Sequence, residues 1–320
     1  MNDGKIVIGE RFFGKELQTL RVPIFYKSKL GRVLANRLFG LRVWFAKKIS
    51  FWEALRNCLP SRFHLRSGDE KILESMEANA DEVFKKTGLY EVSSITLFGN
   101  KFFKAGEKTN FGSWFHTFIM IFQSVVADQY HAKEFIKKDS IVIDAGANIG
   151  AFSAHAANIA TAGQVYAFEP TPKTFGILSE NISAYANVKA FNFGLGAKSG
   201  EGELVIAESS GSNTMADSGM PDSASASRVS VRITTIDNFV SEHGIQRVDF
   251  IKMDTEGYEG KILEGAKETI RRFSPVLSMS AYHHEDDKKT IPELIRSLNP
   301  KYKCRLTKSV EDNLLLRVAE

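Results

Sequence analysis

Residues 140–153 read Ser140-Ile-Val-Ile-Asp144-Ala-Gly146-Ala-Asn148-Ile-Gly150-Ala-Phe-Ser153, and this stretch decides the fold. Its apolar, β-branched start predicts a short strand that is buried on both faces. Asp144 ends the strand, and Gly146 and Gly150 open a turn into a helix that runs to about Ala160. A strand, a glycine loop and a helix in this order bring backbone N–H groups and a helix N-terminus up to a nucleotide-like ligand.

The loop reads D-x-G-x-N-x-G, which differs from the G-x-G-x-x-G pattern of dinucleotide-binding proteins. A pyrophosphate needs closely spaced glycines, whereas an acid at the strand tip repels phosphate and suits a cationic ligand. A second predicted strand, residues 164–168, ends in Glu169, where a carboxylate can accept both hydroxyls of a ribose. Two acids at neighbouring strand tips indicate a nucleoside with a cationic, phosphate-free tail. S-adenosylmethionine fits that description.

The composition is that of a globular protein, with 43% apolar and 25% charged residues among 320. Cys58 and Cys304 lie far apart without metal-type spacing, which favours a reducing cytoplasm. The N-terminus does not resemble a signal peptide, and no apolar run approaches the roughly 18 residues of a spanning helix. We therefore expect a cytoplasmic protein.

The N-terminal part is strongly basic. From Arg21 to Arg66 the chain carries eleven Lys or Arg residues and one acid, Glu53, interleaved with aromatic residues. This pattern suits an anionic membrane surface, contacted through residues 20–66 at the inner face of the membrane. A second interpretation is a subdomain on the substrate side, whose aromatic residues pack in a core. The segment has no recognisable nucleic-acid-binding motif, so no nucleic-acid partner is predicted.

From Ser140 onward strands and helices alternate, which predicts an α/β fold with a doubly wound, mostly parallel sheet and helices on both faces. A helix over residues 116–135 is expected to lead into it. Residues 203–207 and 228–233 alternate like strands, and the Ser-, Gly- and Ala-rich residues 209–227 between them are expected to form a loop. A helix is expected to begin at Thr235 with Thr234 or Thr235 as its cap, and another to run through Ile262 and Ile270. We divide the chain into an N-terminal helical or mixed extension, residues 1–130, and a Rossmann-like domain, residues 131–320. Ligands of such sheets bind at the carboxyl ends of the strands. Four polar clusters are predicted there: Asp144 to Gly150, Glu169, Asp254 to Glu259, and Tyr282 to Asp287.

From about residue 139 to its end, the chain resembles the FkbM family of S-adenosylmethionine-dependent methyltransferases. Where relatives usually carry Ile or Val between two acids, this chain has Thr255. The resemblance implies a class I methyltransferase fold with a seven-stranded sheet. It also implies O-methylation of a hydroxyl, commonly on a natural product or a sugar, such as one in a bacterial surface glycan. The residues that carry it are Asp144 to Gly150, Phe168 to Pro170, Gly211 to Thr214, Thr235 to Asp237, Ile251 to Glu259, and Leu263 to Ala266.

Roles for individual residues follow from this interpretation. The methionine side of the cofactor is predicted to contact Asp144, Gly146, Asn148 and Gly150, and its ribose Glu169. A hydroxyl oxygen is a poor nucleophile, so a nearby base or metal ion is expected.

His283 is the first candidate for the base, because imidazole titrates near neutrality. Asp254 is the second, and its carboxylate could instead bind the ammonium group of the cofactor. Glu256, Tyr282 and His284 are predicted to contact the acceptor. Glu256 and Glu259 are equally well explained as carboxylates that stabilise the first turn of a helix.

Two questions stay open at this point. The donors of Asp254, Glu256 and His283 suit Mg²⁺ or Mn²⁺, but the sequence gives no geometry for them, and a metal is not predicted. The alternative functions are an NAD(P)-dependent oxidoreductase, disfavoured by Asp144 and the glycine spacing, and a non-catalytic membrane-associated scaffold, disfavoured by the intact acids at the strand tips.

Overall fold

The computed structural model of the chain describes residues 120–206, 213–220, 227–308 and 312–318. The basic segment at residues 20–66 and most of the predicted extension at residues 1–130 lie outside these ranges, and the predictions made for them stay predictions. The same holds for most of the predicted loop at residues 209–227. None of the helices in the described ranges is long and apolar enough to cross a membrane.

The described part opens with a π-helical segment, Phe122–Val126, and continues with alternating helices and strands. In chain order these are α1 (Ala132–Phe135), β1 (Ile141–Ala145), α2 (Ala151–Ile159), β2 (Gln164–Phe168), α3 (Pro172–Ile182), β3 (Val188–Phe191), β4 (Gly194–Leu195), β5 (Gly200–Ile206), β6 (Thr214–Met215), β7 (Ser227–Thr234), α4 (Ile236–Glu242), β8 (Phe250–Met253), α5 (Glu259–Glu264), α6 (Lys267–Phe273), β9 (Val276–Ser280), α7 (Asp287–Leu298), β10 (Tyr302–Lys308) and β11 (Asp312–Val318).

Seven strands form the central sheet in the order β10-β11-β9-β8-β1-β2-β3. The pairs β1 with β2, β1 with β8, β2 with β3 and β8 with β9 are parallel, and β11 is antiparallel to both of its neighbours. β8 is buried along its whole length, which explains its nearly continuous apolar sequence. The predicted α/β architecture with a seven-stranded, mostly parallel sheet is confirmed.

A second, four-stranded sheet in the order β4-β7-β5-β6 was not predicted. The sequence indicated strands near β5 and β7 but not that they pair antiparallel with each other, since alternation within one strand does not name its partner. Leu204 and Val231 of this sheet are buried in the same apolar core as Ile251 of β8. The small sheet is therefore packed on the central domain.

Two predicted helices are interrupted. The helix expected over residues 116–135 does not run through the described residues, because Asp128 (φ 49°) and His131 (φ 59°) are left-handed, a conformation in which an α-helix of L-residues cannot continue. The helix expected through Ile262 and Ile270 is divided into α5 and α6 near Gly265. A Cβ atom on Gly265 would collide with the carbonyl oxygen of Gly196, so this position accepts only glycine.

The Thr235-Ile-Asp237 motif serves the helix termini. The Thr235 hydroxyl accepts a hydrogen bond from the N–H of Asn238 at 2.9 Å and caps α4, as predicted. Asp237 accepts from the N–H groups of Glu268 at 3.0 Å and Thr269 at 2.8 Å, in the first turn of α6. This motif therefore has a structural explanation.

Candidate active site

The glycine loop, residues 146–150 between β1 and α2, packs closely against the rest of the protein. Gly146 (φ 72°) lies so close to the end of β8 that an added Cβ would collide with the carbonyl group of Asp254. Gly150 (φ 94°) leaves room for Leu178 of α3, whose Cδ1 would lie 2.8 Å from an added Cβ. Asn148 is also left-handed (φ 50°), a conformation that asparagine tolerates better than most residues. Packing of the backbone thus accounts for both glycines.

Asp144, at the end of β1, is fully buried and paired. Its Oδ2 accepts a hydrogen bond from the Ser153 hydroxyl at 2.6 Å, and its Oδ1 lies 3.0 Å from Nζ of Lys252. The same Nζ donates to the carbonyl oxygen of Gly146 at 2.8 Å. Lys252 therefore balances the negative charge of Asp144 at this strand tip. Contact between Asp144 and a ligand stays a prediction.

Glu169, at the end of β2, is bound to the other side of the glycine loop. Its Oε2 accepts from the N–H of Asn148 at 3.1 Å, and its Oε1 accepts from the N–H of Thr171 at 2.8 Å. The side chain is buried, and burial raises the pKa of the carboxyl group against the opposing effect of these two N–H groups. Since a carboxylate offers about four acceptor positions, Glu169 retains capacity for further hydrogen bonds.

Three of the predicted residues come together beyond β8 and β9. Asp254, Glu256 and His283 each place one potential ligand atom within 4.8 Å of those of the other two. Nε2 of His283 lies 3.4 Å from Oε2 of Glu256, and its Nδ1 lies 3.5 Å from Oε1 of Glu259. The His283 side chain is only 2% exposed. Within the described residues, neither ring nitrogen makes an aligned hydrogen bond.

The carboxylates control the titration of this cluster. Burial by itself lowers the pKa of His283, but the hydrogen-bonding and electrostatic effects of Glu256 and Glu259 outweigh it and raise the pKa to about 11. Burial raises the pKa of Glu256, and His283 opposes this effect. The prediction that the His283 imidazole titrates near neutrality is therefore wrong for this arrangement, because its nearest charged neighbours are acids.

The remaining predicted residues lie beside the cluster. The ring centroid of Tyr282 is 4.2 Å from that of His283. Nε2 of His284 lies 3.0 Å from the carbonyl oxygen of Gly257, which accepts the hydrogen bond. Glu259 is buried and accepts from the N–H of Thr255 at 2.7 Å, so it fixes the loop that follows β8.

Two residues of the site were missed from the sequence. Lys252 sits in the middle of the buried strand β8, and a lysine in an otherwise apolar run was the signal that could have revealed it. Tyr130 donates from its hydroxyl to Oδ2 of Asp254 at 2.6 Å. The two residues of that bond are 124 positions apart, and no local pattern links them.

The strand order, the antiparallel β11 and the polar groups at the carboxyl ends of β1, β2, β8 and β9 define a Rossmann-like core of the class I methyltransferase type. Over residues 144–305, about half of its length, the chain matches the model of the Methyltransferase FkbM domain, and it belongs to this family.

Several curated proteins are similar to part of this chain. The hexuronic acid methyltransferase AglP of Haloferax volcanii is 28% identical over 142 residues, which are 44% of this chain and 56% of AglP. The 2-O-methyltransferase NoeI of Sinorhizobium fredii is 22% identical over 197 residues, 57% of this chain and 80% of NoeI. The methyltransferase sdnD of Sordaria araneosa is 25% identical over 177 residues, 46% of this chain and 68% of sdnD.

Among solved structures, the FkbM methyltransferase of Methylobacillus flagellatus is similar to this chain with a TM-score of 0.44 and 19% identity. The similarity covers 63% of this chain and 58% of that one. The chain spans little more than half the length of AglP.

Proposed function

We propose that the protein is an S-adenosylmethionine-dependent O-methyltransferase that acts on a hydroxyl of a glycan sugar or of a natural product. The observation that carries the proposal is that Glu169 and Asp254 flank one glycine loop, with Asn148 bound to the first and Gly146 packed on the second. The name of AglP, a hexuronic acid methyltransferase, supports a sugar acceptor, and that of NoeI, a 2-O-methyltransferase, supports methylation of an oxygen.

The residues around the loop fit the cofactor. Glu169 retains acceptor positions for the ribose hydroxyls, and Oδ1 of Asn148 is buried without a partner among the described residues. In the proposal, Asp144, Gly146, Asn148 and Gly150 line the methionine side. Lys252 holds Asp144 and the loop in place. Bound S-adenosylmethionine supplies a methyl group on a positively charged sulfur, which needs no further activation.

The protein's own task is then to orient the acceptor and to take up its proton. Asp254 is the best-placed group, because Tyr130 holds its Oδ2 while its Oδ1 has no partner within the described ranges. His283 keeps Glu256 and Glu259 in position around it. We assign contacts with the acceptor to Glu256, Tyr282 and His284. The hydrogen bond of His284 to the carbonyl oxygen of Gly257 would hold its ring in place.

Calorimetry on the full chain tests the cofactor assignment. We expect saturable binding of S-adenosylhomocysteine and no competition by NAD. Tight binding of NAD without binding of S-adenosylhomocysteine would overturn the proposal in favour of an oxidoreductase.

Transfer of a labelled methyl group to a panel of sugar acceptors, hexuronic acids included, tests the reaction. We expect the labelled methyl group in a base-stable ether, formed at a hydroxyl oxygen of the acceptor. Label found only in esters or on nitrogen would contradict O-methylation of a hydroxyl. Asp254→Asn should lose transfer while it still binds S-adenosylhomocysteine. A scaffold without catalytic function would show no transfer with any acceptor and no effect of this substitution.

A further inference from the structure

We propose that Asp254, Glu256 and His283 form a binding site for a divalent cation of the Mg²⁺ or Mn²⁺ type. The use of such a cation in catalysis rests on the methyl transfer proposed above, whereas its binding does not. The site would take one oxygen from each carboxylate and Nε2 from the histidine, and the cation would displace the proton that this nitrogen otherwise carries. Mn²⁺ is the better probe, since it accepts an imidazole nitrogen beside carboxylate oxygens.

The spacing of the three donors supports this assignment. Their ligand atoms all lie within 4.8 Å of one another. In octahedral coordination with bonds of about 2.1 Å, neighbouring ligand atoms are roughly 3 Å apart and opposite ones roughly 4.2 Å. A small contraction of the side chains would therefore bring the three groups into coordination, and a large movement of the backbone is not needed.

Unsatisfied polar atoms supply a second, independent observation. Both ring nitrogens of His283 and Oδ1 of Asp254 are buried, and none of these atoms has a hydrogen-bond partner among the described residues. Buried polar groups in proteins are nearly always paired with protein, water or an ion. Because Nε2 of His283 faces Oε2 of Glu256 at 3.4 Å, one cation between the donors would satisfy several of these atoms together.

The groups behind the donors are arranged as in metal sites. Nδ1 of His283 faces Oε1 of Glu259 at 3.5 Å, and a carboxylate in this position orients a metal-bound imidazole and fixes its tautomer. The N–H of Thr255 holds Glu259 in turn. The Tyr130 hydroxyl donates a hydrogen bond to Oδ2 of Asp254, so Oδ1 of this carboxylate remains for the cation. His283 and Asp254 thus each have a defined neighbour outside the proposed site.

A cation here would lie where the acceptor is expected. Asp254 is in contact with the glycine loop through Gly146, so the cation would be adjacent to the methyl donor. Three protein ligands leave about three octahedral positions for water or for hydroxyls of the acceptor. A hydroxyl bound to a cation ionises at lower pH, which favours attack on the methyl group. With the cation bound, Asp254 would hold the cation, and the hydroxyl proton would pass to water instead of to Asp254.

Titration of the full-length protein with Mn²⁺ alone, followed by calorimetry and by the loss of the free Mn²⁺ paramagnetic signal, tests the proposal. We expect one saturable site per chain. Asp254→Asn and Glu256→Gln should each weaken Mn²⁺ binding by about tenfold or more. Glu268→Gln is the matched control, because this exposed acid of α6 lies outside the cluster, and its Mn²⁺ affinity should equal that of the wild type.

Thermal unfolding without Mn²⁺ checks that the variants fold, and Glu256→Gln is the more informative of the two because its side chain is 27% exposed. Absence of saturable binding, or equal Mn²⁺ affinity in wild type and variants, overturns the cation site. If S-adenosylhomocysteine still binds in that case, the proposed function stands. Binding of Mn²⁺ without S-adenosylhomocysteine would contradict the proposed function and leave the cation site intact.

Discussion

The ammonium group of Lys252 lies 3.0 Å from the carboxylate of Asp144, directly across the pairing of β8 with β1, where the two residues are in register. Both side chains are buried, so each charge depends on the other for compensation. Because Lys252 also donates to the carbonyl oxygen of Gly146, one ion pair holds both the tip of β1 and the start of the glycine loop.

Replacing Lys252 with methionine should lower the free energy of unfolding by about 3–5 kcal/mol, because it leaves the Asp144 carboxylate buried without a counter-charge. Denaturant titration measures the change. The double variant Lys252→Met with Asp144→Asn removes both charges and should recover part of the loss. If the two substitutions change the free energy of unfolding additively, the interaction free energy between Lys252 and Asp144 is zero and the prediction is wrong.

Gly146→Ala should destabilise the protein by about 2–4 kcal/mol, because alanine is strained at a φ of 72° and its Cβ would collide with Asp254. Gly176→Ala is the matched control. Gly176 lies in α3 with open space around it, so alanine there should raise the free energy of unfolding by about 0.5–1 kcal/mol. A Gly146→Ala variant as stable as the control would contradict the packing of the loop on β8.

Glu169→Gln should change the pH dependence of stability. Burial raises the pKa of Glu169 in the folded state above its ordinary value of 4.5, so the folded protein keeps this proton to higher pH than the unfolded chain. The free energy of unfolding of the wild type therefore falls as pH rises from 4.5 through the folded pKa, and the variant lacks this component. Denaturation midpoints of both proteins from about pH 4 to about pH 7 measure the difference. Parallel curves would contradict the raised pKa.

The same variant tests the ribose contact. Loss of the charged acceptor should lower the affinity for S-adenosylhomocysteine by about tenfold or more, since hydrogen bonds to a charged group are stronger than neutral ones. Calorimetry at a pH where Glu169 is ionised gives the comparison. Unchanged affinity would remove Glu169 from the proposed cofactor site.

Asp237→Ala should cost about 1–2 kcal/mol of stability, because the N–H groups of Glu268 and Thr269 lose their acceptor at the start of α6. Asp237→Asn keeps one acceptor oxygen and should lose less. Binding of S-adenosylhomocysteine should be the same in both variants once they are folded. A selective loss of binding would give this motif a role at the site instead.

The basic segment at residues 20–66 is predicted to bring the full chain to anionic membranes. Flotation with vesicles that contain anionic lipid should recover the protein, and recovery should fall at high salt as the charges are screened. Neutral vesicles are the control, together with a variant in which Lys47 and Lys48 are changed to Glu. Equal recovery with anionic and neutral vesicles would contradict the prediction.

Much of the fold could be predicted because the central strands carry their own signals. β1 and β8 are short, largely apolar runs with an acid at or just after their ends, and the cap of α4, one of the helices between them, is recognisable in the sequence as Thr235. The small sheet could not be predicted as a sheet, since the pairing of β5 with β7 depends on tertiary packing of Leu204 and Val231. The helix break at Asp128 and His131 likewise depends on backbone conformations that these residue types do not require.

The site was predicted in its position more than in its electrostatics. The carboxyl ends of parallel strands meet at one edge of a sheet, so Asp254 and His283 were expected close together, and the structure places them there. Their charge states could not be predicted, because the pKa of His283 depends on how Glu256 and Glu259 are turned toward it. Lys252, which pairs with Asp144, and Tyr130, which donates to Asp254, each lie more than a hundred positions from their partner along the chain.

The direct packing of Gly146 on Asp254 leaves no layer of side chains between the loop on one side and the acidic cluster on the other. A ligand that shifts the loop or the cluster would move the other across this contact, so we expect binding at the two places to be coupled. Thermodynamic reciprocity then requires that each ligand alter the affinity of the other by the same factor.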